Sequence, residues 1–274
     1  MKTKIYYFSA TGNSLFVAKK AAETLEDCSI ENVTQCTSEI IAADTESVGF
    51  IFPMYYFGMP EIMVSFIKKL DLTGVKYIFA VITKGVPSAG GALAQLGKLL
   101  KKKGKKLNLG SYLAMGDNFI IMWWDSTQKD ELSERQKNAG EKILELTDAI
   151  RSGRNKVEKN AADYIPFIFR HLPILGYNHY VKKSKSEDKY FYTDGKCTSC
   201  GICINVCSTG NIKLGEGGPQ WLHSNCQQCL ACLHLCPQKT IQFGKRVSQF
   251  RTKTENKQRY KNPNININEL FAQK

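Results

Sequence analysis

The sequence predicts an α/β protein built in two parts, a doubly wound parallel sheet of five strands followed by a small α+β module. Two observations support this prediction. Short apolar, strand-like runs alternate with helix-like periodic segments through the front half, which is typical of a parallel sheet covered by helices on both faces. Eight of the ten cysteines then fall within forty residues, a stretch too short to form a large apolar core of its own.

The predicted strands and helices alternate along the chain. Strands are expected near residues 3–8, 29–34, 47–52, 77–83 and 107–114, and helices near residues 13–26, 59–70, 89–103 and 131–152. Open sheets of this kind bind ligands at the carboxyl ends of their strands. The loops after the first, third and fourth strands are therefore the candidates for a binding site.

The loop after the first strand has the features of a phosphate site. Backbone N–H groups at the start of a helix bind anions, and nearby hydroxyls add hydrogen bonds. The loop lacks the Gly-Lys-Ser/Thr ending of nucleotide triphosphatases and the GxGxxG pattern of dinucleotide folds, so a phosphate monoester is the expected ligand. An ordinary helix cap is the alternative. The candidate residues are Ser9, Thr11, Gly12, Asn13 and Ser14.

The stretch Ser9–Ser14 resembles the phosphate loop of flavodoxins, which bind flavin mononucleotide (FMN). The resemblance implies a flavodoxin-like sheet in which the two further loops hold the isoalloxazine ring. Aromatic and thioether side chains suit stacking on a flat ring, and glycines let backbone amides approach it. For Met54–Phe57, a place in the core is the alternative. The residues concerned are Pro53, Met54, Tyr55, Tyr56, Phe57 and Gly58, and then Thr83, Lys84, Gly85, Gly90 and Gly91.

The eight clustered cysteines repeat the pattern CxxCxxCxxxC, the ligand pattern of two [4Fe-4S] clusters. Each run gives three thiolates to one cluster and its fourth to the other. The two runs are offset by 29 residues, so the sequence predicts a bacterial ferredoxin-like module with pseudo-two-fold symmetry that folds around its metal. The expected ligand sets are Cys197, Cys200, Cys203 and Cys236 for one cluster, and Cys226, Cys229, Cys232 and Cys207 for the other.

Zinc and disulfide bonds explain the cysteines less well. A zinc site takes four ligands, usually from two CxxC pairs, and would leave four matching cysteines without a role. Disulfides are typical of secreted chains, and residues 1–8 do not resemble a signal peptide. Cys28 and Cys36 stand apart from the two runs and are expected to be ordinary reduced thiols.

These motifs divide the chain into four segments. Residues 1–153 are predicted to form the FMN-binding domain, 154–189 a linker that packs on the domains, 190–246 the cluster module and 247–274 a basic C-terminal tail that wraps the surface or is partly mobile. The apolar loop at residues 116–124 is expected to cover the flavin or the module. No transmembrane segment is predicted, because the apolar part of the linker is short and broken by prolines.

The formal net charge of +13 suggests nucleic acid as a partner, but no nucleic-acid-binding motif accompanies it. Bound clusters and a flavin phosphate would also lower the charge. Nucleic acid is therefore not expected as a partner. The surface lysines are expected to form a solvated helix end or, secondarily, a dock for an acidic electron carrier.

Over nearly its full length, the chain resembles the flavodoxin–ferredoxin fusions known as EFR1 family ferrodoxins. The resemblance implies FMN, two [4Fe-4S] clusters and cytoplasmic life in an anaerobe. With these cofactors, we expect single electrons to pass between a soluble low-potential carrier of ferredoxin or flavodoxin type, the clusters and the flavin, which reduces a small-molecule acceptor. A non-catalytic shuttle or redox sensor that acts through protein partners is the alternative. The acceptor and the oligomeric state are not predicted.

Overall fold

The computed structural model describes residues 1–85, 90–121, 125–159, 171–247 and 250–271. In its front half, the helices are α1 (Asn13–Thr24), α2 (Glu61–Lys69), α3 (Ala92–Lys101) and α4 (Lys129–Arg151). The strands are β1 (Thr3–Tyr7), β2 (Cys28–Asn32), β3 (Ile41–Ala42), β4 (Ser47–Pro53), β5 (Leu70–Asp71), β6 (Tyr77–Lys84), β7 (Leu109–Ala114) and β8 (Lys156–Val157).

The main sheet is parallel throughout and has the strand order β2-β1-β4-β6-β7-β8. Its five longer strands are the predicted ones, in the order that defines a flavodoxin-like doubly wound sheet. The fold class is thus confirmed, with one addition. The two-residue strand β8 extends the edge beside β7, and a strand of that length has no periodicity from which it could be predicted.

Alternation along the strands builds a core on each face of the sheet. On β1, Ile5 packs with α1 and α4 on one face, whereas Tyr6 packs with α2 and α3 on the other. The central strands β4 and β6 are buried on both faces, which is why they appear in the sequence as continuous apolar runs. The sheet therefore presents the carboxyl ends of three buried strands as a fixed edge.

The predicted linker contains a helix that the sequence analysis did not foresee, α5 (His171–Ser184). The ring of Tyr177 on this helix fills the space beside Gly58, and its hydroxyl donates a hydrogen bond of 2.6 Å to the Met59 carbonyl. Lys185, just after the helix, pairs with Glu61 of α2 at 2.8 Å. The described part of the linker thus packs on the front domain. Residues 160–170, which include its proline-broken apolar part, lie outside the described residues.

The cysteine module consists of two similar halves. One contains β9 (Phe191–Thr193), α6 (Ile202–Asn205) and β10 (Ile212–Gly215), and the other contains β11 (Gly218–Trp221), α7 (Ala231–Leu235) and β12 (Ile241–Val247). The inner strands β10 and β11 pair with each other, and β9 pairs with β12, both antiparallel. Both the helices and the last strands begin 29 residues apart (202 and 231, 212 and 241), as the sequence repeat predicts.

The C-terminal tail packs on both halves of the molecule wherever it is described. It adds β13 (Phe250–Lys253) beside β12 and ends in a short 3₁₀ helix over Ile267–Leu270 with a capping box at Asn266. Ile265 and Leu270 pack into the core on the α1 face of the sheet. Residues 248–249 and 272–274 lie outside the described part of the chain. None of the helices that the structure describes combines the length and apolar character needed to cross a bilayer.

Candidate functional site

Three loops meet at the carboxyl edge of the sheet and enclose a cavity of about 350 Å³. This volume falls within the usual range for small-molecule and cofactor sites, ~300–1,000 Å³. The loops follow β1, β4 and β6. Twelve of the residues proposed from the sequence line the cavity: Ser9, Thr11, Asn13, Ser14, Pro53, Met54, Tyr55, Tyr56, Phe57, Thr83, Lys84 and Gly85.

The first loop presents polar atoms that lack a full set of partners. The Oγ of Ser9 is buried in the cavity wall and, among the described residues, has no hydrogen-bond partner. Helix α1 begins at Asn13 with Gly12 at its N-cap, a residue without a side chain to cap the free N–H groups. Ser14 Oγ and Thr83 Oγ1 lie 2.9 Å apart and join the first and third loops. An uncapped helix start beside an unpaired hydroxyl fits the phosphate of a monoester.

The second loop holds two aromatic residues in strained backbone positions. Tyr56 and Phe57 have φ of +45° and +68°, the left-handed values of a tight two-residue turn, closed by hydrogen bonds between Tyr55 and Gly58. Non-glycine residues with such φ values cost about 1–3 kcal/mol each, and this strain is found mainly at functional sites. The turn places the Tyr56 ring edge-on against Phe119, with centroids 5.1 Å apart, and leaves Phe57 51% exposed.

The remaining proposed glycines, Gly12, Gly58, Gly90 and Gly91, lie behind the cavity wall. A Cβ on Gly58 would lie 2.4 Å from Cε2 of Tyr177, and one on Gly90 would lie 2.0 Å from Sδ of Met54. The Gly91 N–H donates to the Phe57 carbonyl at 2.7 Å. These positions let neighbouring chain segments approach the loops closely. Residues 86–89 of the third loop are not among the described residues.

Eight lining residues were not proposed as site residues, and they come from two places. The loop after β7 was recognised from its apolar character, and its Asn118 amide donates to Thr11 Oγ1 at 3.1 Å. The second source is the cysteine module, and no local pattern in the sequence assigns its residues to this cavity. Met122–Trp124 of the loop lie outside the described residues. The eight are Ala10, Gly116, Asp117, Asn118, Phe119, Gln228, Cys229 and Leu230.

The module contains two smaller cavities, each lined by four cysteines. The first is lined by Cys197, Cys200, Cys203 and Cys236, and the second by Cys207, Cys226, Cys229 and Cys232. Each set takes three cysteines from one run and the fourth from the other, as the expected ligand sets require. All ten cysteines are free of disulfide bonds. In the residues that the structure describes, no three His, Cys, Asp or Glu side chains are gathered as for a single metal ion.

The two cysteine loops repeat the same backbone conformation. Backbone N–H groups point at the first sulfur of each run, Ser199 to Cys197 at 3.4 Å and Gln228 to Cys226 at 3.3 Å. Such N–H···S contacts stabilise a thiolate and any cluster bound to it. Left-handed φ values recur at positions 29 residues apart, namely Ser199 and Gln228, Gly201 and Leu230, and Gly210 and Lys239.

Residues 196–241 match the family model of the 4Fe-4S dicluster domain. This match covers the cysteine module and leaves the front domain to be identified by its fold. No curated protein matches the chain significantly.

Several solved structures resemble about half of the chain. A flavoprotein from Bacteroides uniformis has 20% identity over 50% of this chain and 97% of its own, with a TM-score of 0.36. A protein from Streptococcus mutans has 17% identity over 54% and 98%, with a TM-score of 0.40. A flavodoxin from the domain Archaea has 16% identity over 54% and 99%, with a TM-score of 0.34. At these values, the strand order of this chain, and not the likeness, defines its fold.

The cavity of the front domain and the second cysteine cavity share a wall. Cys229 and Leu230 line both of them. His234, on the same module, has Nε2 2.6 Å from the Asn118 carbonyl oxygen, and its Nδ1 accepts a hydrogen bond from the Tyr260 backbone. Burial lowers the pKa of His234 to about 4, so the ring is neutral and donates from Nε2. These contacts fix the module against the cavity.

Burial also controls the thiols of the module. It raises the pKa of Cys203 and Cys229 to about 11, and it raises that of Cys232 strongly as well. Because thiolates are the metal ligands, iron must displace these protons when it binds. Outside the module, burial raises the pKa of Cys28 to about 11 and that of Cys36 to about 12, which agrees with ordinary reduced thiols.

Proposed function

We propose that this protein passes single electrons between a low-potential carrier, two [4Fe-4S] clusters and FMN, and that it reduces a small acceptor at the flavin. The single observation that carries the proposal is the shared wall. Since Cys229 lines both the second cysteine cavity and the cavity of the front domain, a cluster and a flavin bound there would be direct neighbours. The proposal includes membership of the EFR1 family ferrodoxins, an anaerobic host and a cytoplasmic location.

In this proposal, FMN occupies the cavity at the edge of the sheet. Ser9 and the start of α1 hold the phosphate, because they offer hydrogen-bond donors that the described protein does not use. The strained turn at Tyr56 and Phe57 holds the ring, together with the backbone of Thr83–Gly85. When bound, FMN exchanges electrons singly or in pairs, which the protein's own side chains do not do.

The two cysteine sets hold the clusters in the proposal, and their exposure gives the direction of entry. Cys200 of the first set is exposed, and Leu214, which lines the same cavity, is 41% exposed. The first cavity shares none of its lining residues with the cavity of the front domain. A soluble carrier can therefore approach the first set of cysteines, while the second set faces the flavin cavity.

A non-catalytic shuttle or redox sensor is the second candidate. The observation in its favour is the enclosure of the flavin cavity by Tyr56, Phe119 and Gln228, with the Tyr56 hydroxyl 3.1 Å from Gln228 Oε1. A shuttle needs no access for a second substrate. Turnover with small acceptors distinguishes the candidates, because a shuttle would transfer electrons to a protein partner only.

The test is an anaerobic purification followed by counts of iron, sulfide and flavin. We expect about eight irons, about eight sulfides and one FMN per chain. Reduced ferredoxin should then bleach the cluster absorbance first and the flavin absorbance afterwards in a stopped-flow experiment. Two zinc ions without iron, or clusters that become reduced while the bound flavin stays oxidised, would disprove the proposal.

A further inference from the structure

The C-terminal tail brings one buried cation, Arg259, to the cysteine module. Its NH2 group donates to the Ile241 carbonyl at 3.0 Å and to Gln242 Oε1 at 2.7 Å. Gln242 is only 2% exposed, and its Oε1 also accepts from the buried hydroxyl of Thr254 at 2.9 Å. One end of the guanidinium is therefore held in a fixed position by buried groups.

The other two nitrogens of this guanidinium are unsatisfied. Nε and NH1 of Arg259 are buried and have no hydrogen-bond partner in the described part of the chain. Burial lowers the pKa of Arg259, yet a guanidinium in a protein stays protonated. A buried charge with unpaired donors is costly, because the protein must replace the water that it excludes. These donors therefore require an acceptor that the polypeptide does not supply.

The first cysteine cavity lies next to this guanidinium. Ile241, whose carbonyl holds NH2, lines that cavity together with Cys236. The sulfurs of Cys236 and Cys232 are among the groups whose negative charge favours the protonated Arg259. Asp125 and Asp194 act in the same sense, but their carboxylates accept hydrogen bonds from other donors and none from Arg259.

We propose that Arg259 donates its free N–H groups to sulfur atoms of the [4Fe-4S] cluster held by Cys197, Cys200, Cys203 and Cys236, and that it raises the reduction potential of this cluster. The inference rests on the proposed function, since it requires the cluster. An oxidised centre with four thiolates carries a charge of about −2, and one electron makes it about −3. The electron comes from a reduced one-electron carrier protein, which is itself oxidised by one electron, and no proton is transferred. A fixed cation stabilises the more negative form.

The experiment compares the iron-loaded full-length protein with R259Q, R259K and K239Q. Iron and sulfide are counted first, and the reduction of each cluster is then followed by electron paramagnetic resonance in a potentiometric titration. Lys239 is exposed and its N–H donates to the Cys236 carbonyl, so K239Q removes an equal charge beside the same cluster, but one that solvent screens.

In R259Q, we expect the ratio of reduced to oxidised cluster to fall about tenfold at a given potential for one of the two clusters. For a one-electron couple, this is about 59 mV. R259K keeps the charge but loses the paired donors, so we expect about a threefold fall. K239Q should change the ratio less than about twofold.

Several outcomes would overturn the inference. A fully loaded R259Q with unchanged potentials and a lower melting temperature would make Arg259 a structural residue only. If R259Q does not retain iron, R259K decides, and unchanged potentials in that variant would contradict the role of the N–H donors. Absence of iron from the unmodified protein would instead disprove the proposed function itself, so the two failures are distinguishable.

Discussion

At the scale of single residues, the unpaired hydroxyl of Ser9 allows the phosphate site to be tested without disturbing the fold. A buried hydroxyl without a partner costs free energy in the empty protein, whereas a hydrogen bond to a charged group contributes about 1.5–3 kcal/mol. Because Ser9 Oγ is buried in the cavity wall and unpaired among the described residues, its removal should have opposite effects on stability and on binding.

We therefore predict that Ser9→Ala leaves the free energy of unfolding of the FMN-free protein within about 0.5 kcal/mol and weakens FMN binding about tenfold to a hundredfold. Urea unfolding and quenching of flavin fluorescence measure the two quantities. Ser47→Ala is the matched control, because Ser47 Oγ is also buried and unpaired but lies at the opposite end of β4. An equal loss of FMN affinity in both variants would contradict the assignment.

At the scale of elements, the C-terminal tail holds the phosphate loop from outside. The Tyr260 hydroxyl donates to Asn13 Oδ1 at 2.6 Å, and the Asn262 N–H donates to the Thr11 carbonyl at 2.8 Å. Asn262 is fully buried, and its Cβ would lie 2.9 Å from a Cβ on Gly12. The tail and the loop therefore fit each other only because residue 12, with φ of +102°, is a glycine.

Tyr260→Phe removes one of these contacts and keeps the ring in place beside Gly116. We predict a loss of about 1 kcal/mol in the free energy of unfolding and about a fivefold loss of FMN affinity, because Asn13 lines the cavity and loses a donor. Thermal unfolding and fluorescence titration measure both. Tyr192→Phe, which removes a hydroxyl bonded to Glu255 at the surface, should not change FMN affinity.

Elements with strong periodicity could be predicted from the sequence, and elements fixed by distant polar contacts could not. Strands β4 and β6 lie within two residues of their predicted ends, because a central parallel strand must be apolar on both faces. The tail is polar and rich in asparagine, and its partners lie some 250 residues away in the sequence. Helix α5 contains Pro173 and has little amphipathic character, so the prediction of a linker without helix was wrong there.

The candidate site shows the same contrast. The cysteine sets could be predicted because one spacing, repeated once, specifies which four residues meet. Ile120 and Ile121 pack with Phe191 and Leu233 of the module, which confirms that the apolar loop covers it. In contrast, Gln228 and Leu230 reach the flavin cavity only because the two domains dock, and docking leaves no local pattern in the sequence.

At the scale of the whole molecule, the shared wall couples the two cofactor sites. Loss of iron would free the loop that contains Cys229 and Leu230, so one wall of the flavin cavity would lose its support. Coupling between two binding sites is reciprocal and typically amounts to 1–3 kcal/mol, or about 5- to 150-fold in affinity.

We predict that removing iron with a chelator weakens FMN binding at least about fivefold, and that saturating FMN slows the loss of iron. Flavin fluorescence measures the first effect and the decay of cluster absorbance the second. Ser9→Ala is the control for the second effect, because at an FMN concentration too low to saturate it, iron should be lost faster than from the parent protein. Equal FMN affinity with and without iron would show that the sites are independent.

Residues 254–271 follow, in chain order, every part that they hold in place. During synthesis, Ser9–Ser14 and the cysteine loops leave the ribosome well before Arg259, Tyr260 and Asn262. Neither seat is complete until these last residues emerge, so loading with FMN and iron must be finished after translation has passed them. A ribosome that stalls near residue 250 would release a chain with a folded sheet that retains neither prosthetic group.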